Sequence, residues 1–332
     1  MKNILQNALK IVLPFVLGTA ILMWMYRDTP LDMVWHTLTS EMKWNWMLLS
    51  LAFGVLPQVF RGLRWRLTLA PLNETPRRRD CINAIFVSYA SSLVVPRIGE
   101  ITRCGTLVKQ DGTSFSKALG TVVTERIIDS VLILLITGVT LLMQLPVFLS
   151  FFKTTGTNLS GFFARFTTTG YLVTLVCFVC VLVLLGFLLW RLSVFSKVKG
   201  IMLNLLAGIL SLKKVQNLSL YLFYTIGIWV GYFFHFYLTF YCFEFTEHLG
   251  VLAGLVVFCV GSIAVIVPTP NGAGPWHFAV KTILVLYGVA ETGAMIFALL
   301  VHTIQTGLLL VLGVYGLVAL QFTKPKKKIL HA

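Results

Sequence analysis

The segments Ser91-Ser92-Leu93-Val94-Val95-Pro96-Arg97-Ile98-Gly99-Glu100 and Ile263-Ala264-Val265-Ile266-Val267-Pro268-Thr269-Pro270-Asn271-Gly272-Ala273-Gly274-Pro275 each interrupt an apolar run with proline and glycine. Pro96, Gly99, Pro268, Pro270, Asn271, Gly272 and Gly274 stop helical hydrogen bonding where the hydropathy indicates membrane. Backbone groups freed at that depth are tolerated only inside protein or beside a wet cavity. A pair of such breaks in the two halves of a chain points to a transporter, with the breaks as gates.

The rest of the chain agrees with a membrane setting. Its 332 residues are 57% hydrophobic and 12% charged, with a mean hydropathy of +0.86, which excludes an ordinary soluble globular protein. The expected fold is all-α and polytopic, a single transmembrane domain over 1–332. Full spans are predicted near 8–26, 44–61, 118–142, 168–191, 219–243 and 293–320, with re-entrant hairpins near 81–110 and 250–290. Residues 1–25 read as a retained span, because Trp24-Met25-Tyr26-Arg27 follows rather than a small-residue cleavage site.

The net charge of +15 does not indicate nucleic acid, since the lysines and arginines sit at the ends of apolar spans. With both hairpins re-entrant and the N-terminus cytoplasmic, 19 of the 27 Lys and Arg residues fall on the cytoplasmic side, Arg61, Arg64 and Arg66 among them. If the first hairpin crossed completely, nine positive charges in 191–218 and the basic tail 323–332 would lie outside. The charge pattern therefore predicts two cytoplasmic termini and hairpins entering from opposite faces; the membrane is expected to be the cytoplasmic (inner) membrane of a bacterium.

Three ionisable residues, Glu125, Arg126 and Asp129, interrupt the apolar span that begins near Lys117. Intramembrane charges cost several kcal/mol each unless paired or wetted, so they should face the bundle interior, as a structural ion pair or as a charged lining. Arg126 can reach Asp129 at i,i+3. Arg97, Glu100 and Arg103 follow one another at three-residue intervals and share a face if a helix restarts after Pro96. Two guanidiniums at a helix start suit a phosphate; the alternative is scaffolding with Glu100, Glu125 and Asp129. The second break offers the amides of Asn271, Gly272, Ala273 and Gly274, with His277 and Lys281 one turn apart beyond them.

Other features read as structural. His235 and His302 stand singly in apolar helices, the six cysteines lie mostly within or beside apolar segments, and Trp24, Trp35, Trp44, Trp46, Trp65 and Trp190 are placed as interfacial anchors. Glu244, Glu247 and His248 read as an outer loop. No nucleophile elbow, phosphate-binding loop, zinc motif or dinucleotide fingerprint occurs, so no catalytic residue, metal or cofactor is expected.

At these residues the chain resembles the lysylphosphatidylglycerol synthase transmembrane region, a flippase-like family. The resemblance rests on Arg61-Gly62-Leu63-Arg64-Trp65, Pro96-Arg97-Ile98-Gly99-Glu100 with Arg103, Glu125-Arg126 with Asp129, and Pro268-Thr269-Pro270-Asn271-Gly272-Ala273-Gly274. It implies a lipid translocase. No room is left after the last span for the aminoacyl-transferring domain of the two-part synthases, so lysyl transfer is not implied. Asn271 stands where many relatives have a second glycine, and no carboxylate stands near His277, which leaves the headgroup open.

The expected function is transport of a phospholipid, a modified phospholipid or a lipid-linked precursor across the membrane. Its partners would be membrane lipids with phosphate-bearing headgroups, and a homo-oligomer is compatible with it. Arg97 and Arg103 would engage phosphate, while Glu100, Glu125 and Asp129 balance charge. A membrane enzyme or accessory subunit acting on a lipid-phosphate, with His277 as acid or base, and a small-solute transporter are the alternatives.

Overall fold

The computed structural model describes residues 15–27, 29–145, 215, 217–267 and 269–324. The expected span 168–191, Pro268 and the tail beyond 324 lie outside the described residues. The chain divides into two units, Met1–Thr140 with Leu212–Ala332, and Leu141–Ser211. The helices and cavities lie in the first, apart from the last three residues of the helix Phe115–Met143.

Among the described residues every regular element is helical. The first five are α1 (Phe15–Tyr26), α2 (Leu31–His36), α3 (Trp44–Leu69), α4 (Arg78–Val94) and α5 (Gly99–Asp111). The later long helices are α6 (Phe115–Met143), α7 (Leu218–Tyr237), α8 (Val251–Ala264), α9 (Pro275–Leu286) and α10 (Glu291–Gln321), and a single helical turn, Glu244–Glu247, precedes α8 where a loop is expected. Four of these, α3, α6, α7 and α10, are long and apolar enough to cross a membrane. The 31 residues of α10 run about 46 Å at 1.5 Å per residue.

One expectation is corrected here. The second span does not end at residue 61 but continues to Leu69, carrying Arg61, Arg64 and Arg66 inside the helix rather than in a cytoplasmic loop. Arg61 and Arg64 do not end the helix because they turn into the protein, where both are buried against acids of α6. Termination comes later, at a short 3-10 turn through Pro71 and at Asn73, whose φ of 59° is the left-handed cap conformation. Trp65 is likewise no interfacial anchor. It is fully buried, its indole nitrogen donating to Thr121 Oγ1 at 2.9 Å.

Small residues let the long helices approach closely, the usual device where lipid supplies no hydrophobic drive between helices. A Cβ at Gly231 would lie 2.7 Å from the ring of Pro57, and one at Gly227 would lie 2.7 Å from Phe60, so these two glycines set the α3–α7 seam. Along α10, Gly313 and Gly316 face Ala90, Phe86 and Asn83 of α4 in the same way.

Both broken regions form hairpins. The arms α4 and α5 are 17 and 13 residues, about 25 and 20 Å, and α8 and α9 are 14 and 12 residues, about 21 and 18 Å. Each arm is shorter than the roughly 30 Å of a bilayer core. At the open end of the first hairpin, Arg77 donates to Asp111 Oδ1 at 3.0 Å and to the Gln110 carbonyl at 3.2 Å, bringing its two ends together.

Helix α10 acts as a ruler for the pair. The open end of the first hairpin meets its C-terminal end, where Gln110 Nε2 donates to the Leu320 carbonyl at 3.0 Å. The open end of the second meets its N-terminal end, where Lys281 pairs with Glu291. The hairpins thus approach from opposite ends of α10 and meet tip to tip near its middle.

Candidate functional site

The tips are joined by Arg97, which donates from Nη2 to the Ile266 carbonyl at 2.9 Å. Arg97 sits at φ 66°, outside any helix, because α5 starts only at Gly99. The three-residue spacing of Arg97, Glu100 and Arg103 therefore does not become one helical face. Gly99 is fixed by packing: a Cβ there would lie 2.1 Å from the Ser88 carbonyl oxygen, and its amide is taken by Ser92 Oγ at 3.2 Å.

The amides of the second break are also occupied by the chain itself. Gly272 donates to the Thr269 carbonyl at 3.2 Å, Ala273 to the Pro270 carbonyl at 2.9 Å, and Gly274 to His277 Nδ1 at 3.3 Å. What faces outward is the Asn271 side chain, in a left-handed residue at φ 49°. Its Nδ2 donates to Thr306 Oγ1 at 2.8 Å, and its carbonyl accepts from His302 Nε2 at 3.0 Å, tying the break to α10. Helix α1 closes the other side, with Gly18 and Ile21 against Gly274 and Ala273.

The acids of α6 divide between scaffold and cavity. Asp129 does not pair with Arg126 as the i,i+3 spacing suggested; it accepts from Arg61 at 3.0 Å and from Arg64 at 2.9 and 3.1 Å. Glu125 takes Arg103 at 3.2 Å and Arg64 at 3.5 Å, and Arg103 lies 4.7 Å above the Trp65 ring. All five charged groups are buried, so α3, α5 and α6 are held by a network that balances three positive charges with two negative. Arg126 leaves this network and reaches Glu100 at 2.7 Å, both side chains about two-fifths exposed.

Two adjoining cavities of about 360 Å³ each lie between the hairpins, sharing Tyr89, Arg126, Ser262, Val265 and Asn271 in their walls. The first reaches Arg61, Tyr232 and His302; the second reaches Arg97, Glu100 and Thr269. Arg61 lies against this space with its Nε unpartnered, although the residue is only 4% exposed. At the tips, Val94 (68% exposed), Ile98, Ile266 (64% exposed) and Val267 present an apolar rim beside the charged interior.

The residues singled out from sequence are thus sorted. Arg97, Glu100, Arg126, Pro96, Gly99, Asn271 and Gly272 line the cavities. Arg103, Glu125 and Asp129 belong to the enclosed network. His277 is buried against His302, ring centroids 4.4 Å apart, and lines neither cavity; Lys281 stands apart at Glu291. Sequence reasoning missed Arg61, Tyr89, Tyr232 and His302 as wall residues. The Tyr89 and Tyr232 hydroxyls, 2.9 Å apart, were each hidden in an unremarkable apolar helix.

These features define a multi-pass helical membrane protein in which two opposed broken hairpins enclose a cationic cavity. Residues 11–313 match the model of the family described as the lysylphosphatidylglycerol synthase TM region, and the chain belongs to that family, one linked to lipid metabolism or transport. Neither a curated protein nor a solved structure matches the chain.

Proposed function

We propose that this protein moves a phospholipid, a modified phospholipid or a lipid-linked precursor between the leaflets of the cytoplasmic membrane. The observation that carries the proposal is the placing of Arg61, Arg97 and Arg126 along two adjoining cavities, Arg126 on both, with apolar residues exposed at the tips beside them. Guanidiniums offer forked donors to a phosphate, and the apolar rim lets acyl chains stay in the bilayer while the headgroup enters.

Opposed hairpins suit alternating access, since parting either one at its own end of α10 would open the same central space to a different side. The arginines that touch the headgroup in this scheme are Arg61, Arg97 and Arg126, with Arg103 holding the wall behind them. His277, the imidazole suggested as acid or base, lines neither cavity, its Nδ1 accepting from the Gly274 amide at 3.3 Å, which weakens that enzyme reading beside transport.

The test is leaflet exchange of fluorescent phosphatidylglycerol in proteoliposomes. Wild type should exchange it well above protein-free vesicles, and Arg126→Gln should fall towards that background. Equal exchange by wild type, Arg126→Gln and empty vesicles would overturn the proposal.

A further inference from the structure

We infer that the cavity takes a headgroup of net negative charge and discriminates against one that carries an added ammonium group, such as an aminoacylated phospholipid; this rests on the lipid reading above. Acidic side chains are few enough that the charge around the cavities can be balanced over the whole sequence. The chain has twelve Asp and Glu residues, and residues 1–14, 146–214 and 325–332 contain none of them. Apart from Asp28, every carboxylate therefore lies among the described residues.

Of these, Glu100 alone lines the cavities, and it is committed to Arg126. Glu125 and Asp129 come nearest otherwise, but they are enclosed by Arg61, Arg64 and Arg103. The walls thus hold three guanidiniums against one carboxylate, and Arg61 retains a buried Nε with no partner. A second phosphate oxygen is welcome there. An ammonium group would enter without a counter-charge, a costly juxtaposition in a site of low dielectric.

Aromatic faces could hold an ammonium instead. Three of the lining rings are already engaged. Arg61 sits 5.8 Å over the Tyr232 ring, Trp276 packs on His302 and Phe236, and Trp229 packs on Phe258 and Tyr232.

Native mass spectrometry of the purified full-length chain tests this, with phosphatidylglycerol and lysylphosphatidylglycerol supplied in equal amounts in neutral detergent. Phosphatidylglycerol should be retained at least tenfold over the lysyl form, whose lysine adds two amino groups; tenfold is a floor, below the size of one unfavourable charge contact at intermediate dielectric. Gln58→Glu places a carboxylate one turn from Arg61 on the cavity wall, is isosteric, and still accepts from the Tyr232 hydroxyl. It should shrink the preference to near parity; if its melting temperature shows misfolding, Asn271→Asp, on the walls of both cavities and facing a Thr306 hydroxyl able to donate, replaces it.

Equal or better retention of the lysyl form by wild type, or an unchanged preference in the folded acidic variant, overturns the inference and leaves translocation standing. Displacement of phosphatidylglycerol by an equal concentration of glycerol phosphate would assign the site to a soluble anion and overturn it as well. Retention of neither lipid above detergent background would instead overturn the lipid reading itself.

Discussion

Arg97 holds the carbonyl of Ile266, so the two broken segments of the chain, 169 residues apart, are bonded tip to tip. The bond comes from a residue in the left-handed region, which costs a non-glycine residue about 1 kcal/mol. Arg97→Gly removes the side chain and relieves the backbone together. The variant should melt no lower than wild type, while spin labels at Val94 and Val267 report a broader distance distribution. A lowered melting temperature with unchanged distances would show that the tip bond serves stability rather than the contact between hairpins.

Asp129 accepts from two buried guanidiniums at once, and its loss would strand both. Asp129→Ala should destabilise by roughly 3–5 kcal/mol, read as a large fall in melting temperature in detergent or in folded yield. Arg64→Met combined with Asp129→Leu should recover part of the loss, because uncharged partners leave fewer unpaired charges behind. Additive losses in the double variant would argue against a shared network.

Arg103 and Arg126 are two cavity-side arginines by sequence but have separate tasks in the fold. Arg103→Met should lower the melting temperature and leave the lipid preference of the folded protein unchanged, since Arg103 is enclosed by Glu125 and Trp65. Arg126→Gln should do the reverse, shifting lipid retention with a melting temperature close to wild type. Identical profiles for the two variants would contradict the division between scaffold and cavity.

Gly99→Ala would set a methyl group 2.1 Å from the Ser88 carbonyl oxygen, a main-chain atom of the opposite hairpin arm. The arms must part, at a cost of roughly 1–3 kcal/mol. The expected result is lower thermal stability and faster proteolysis within 91–101; wild-type behaviour in both would show that the hairpin tolerates a wider separation.

The hairpins were legible because proline and glycine within apolar runs leave few alternatives to a broken helix. The charged trio Glu125, Arg126 and Asp129 was legible for the same reason: charge inside a span must be compensated. Which charges compensate them was not legible. Local spacing offered Asp129 to Arg126 one turn away, whereas the fold supplies Arg61 and Arg64 from 65 and more positions earlier. Hydropathy falls at Arg61, so the span seemed to end there; its helix in fact continues because those arginines turn inward. The amides of the second break were read as donors for a ligand, but turn geometry within the break consumes those of Gly272, Ala273 and Gly274. No pattern of residue types could reveal that.

The central claim is that a lipid headgroup passes between the two tips. It is tested most directly by leaflet exchange in proteoliposomes bearing cysteines at 94 and 267, which leave Arg97 in place, in a background free of native cysteines, tethered by a short cleavable bis-maleimide. Tethering should stop exchange of phosphatidylglycerol and cleavage should restore it. Exchange that continues undiminished with the tips tethered would contradict the account.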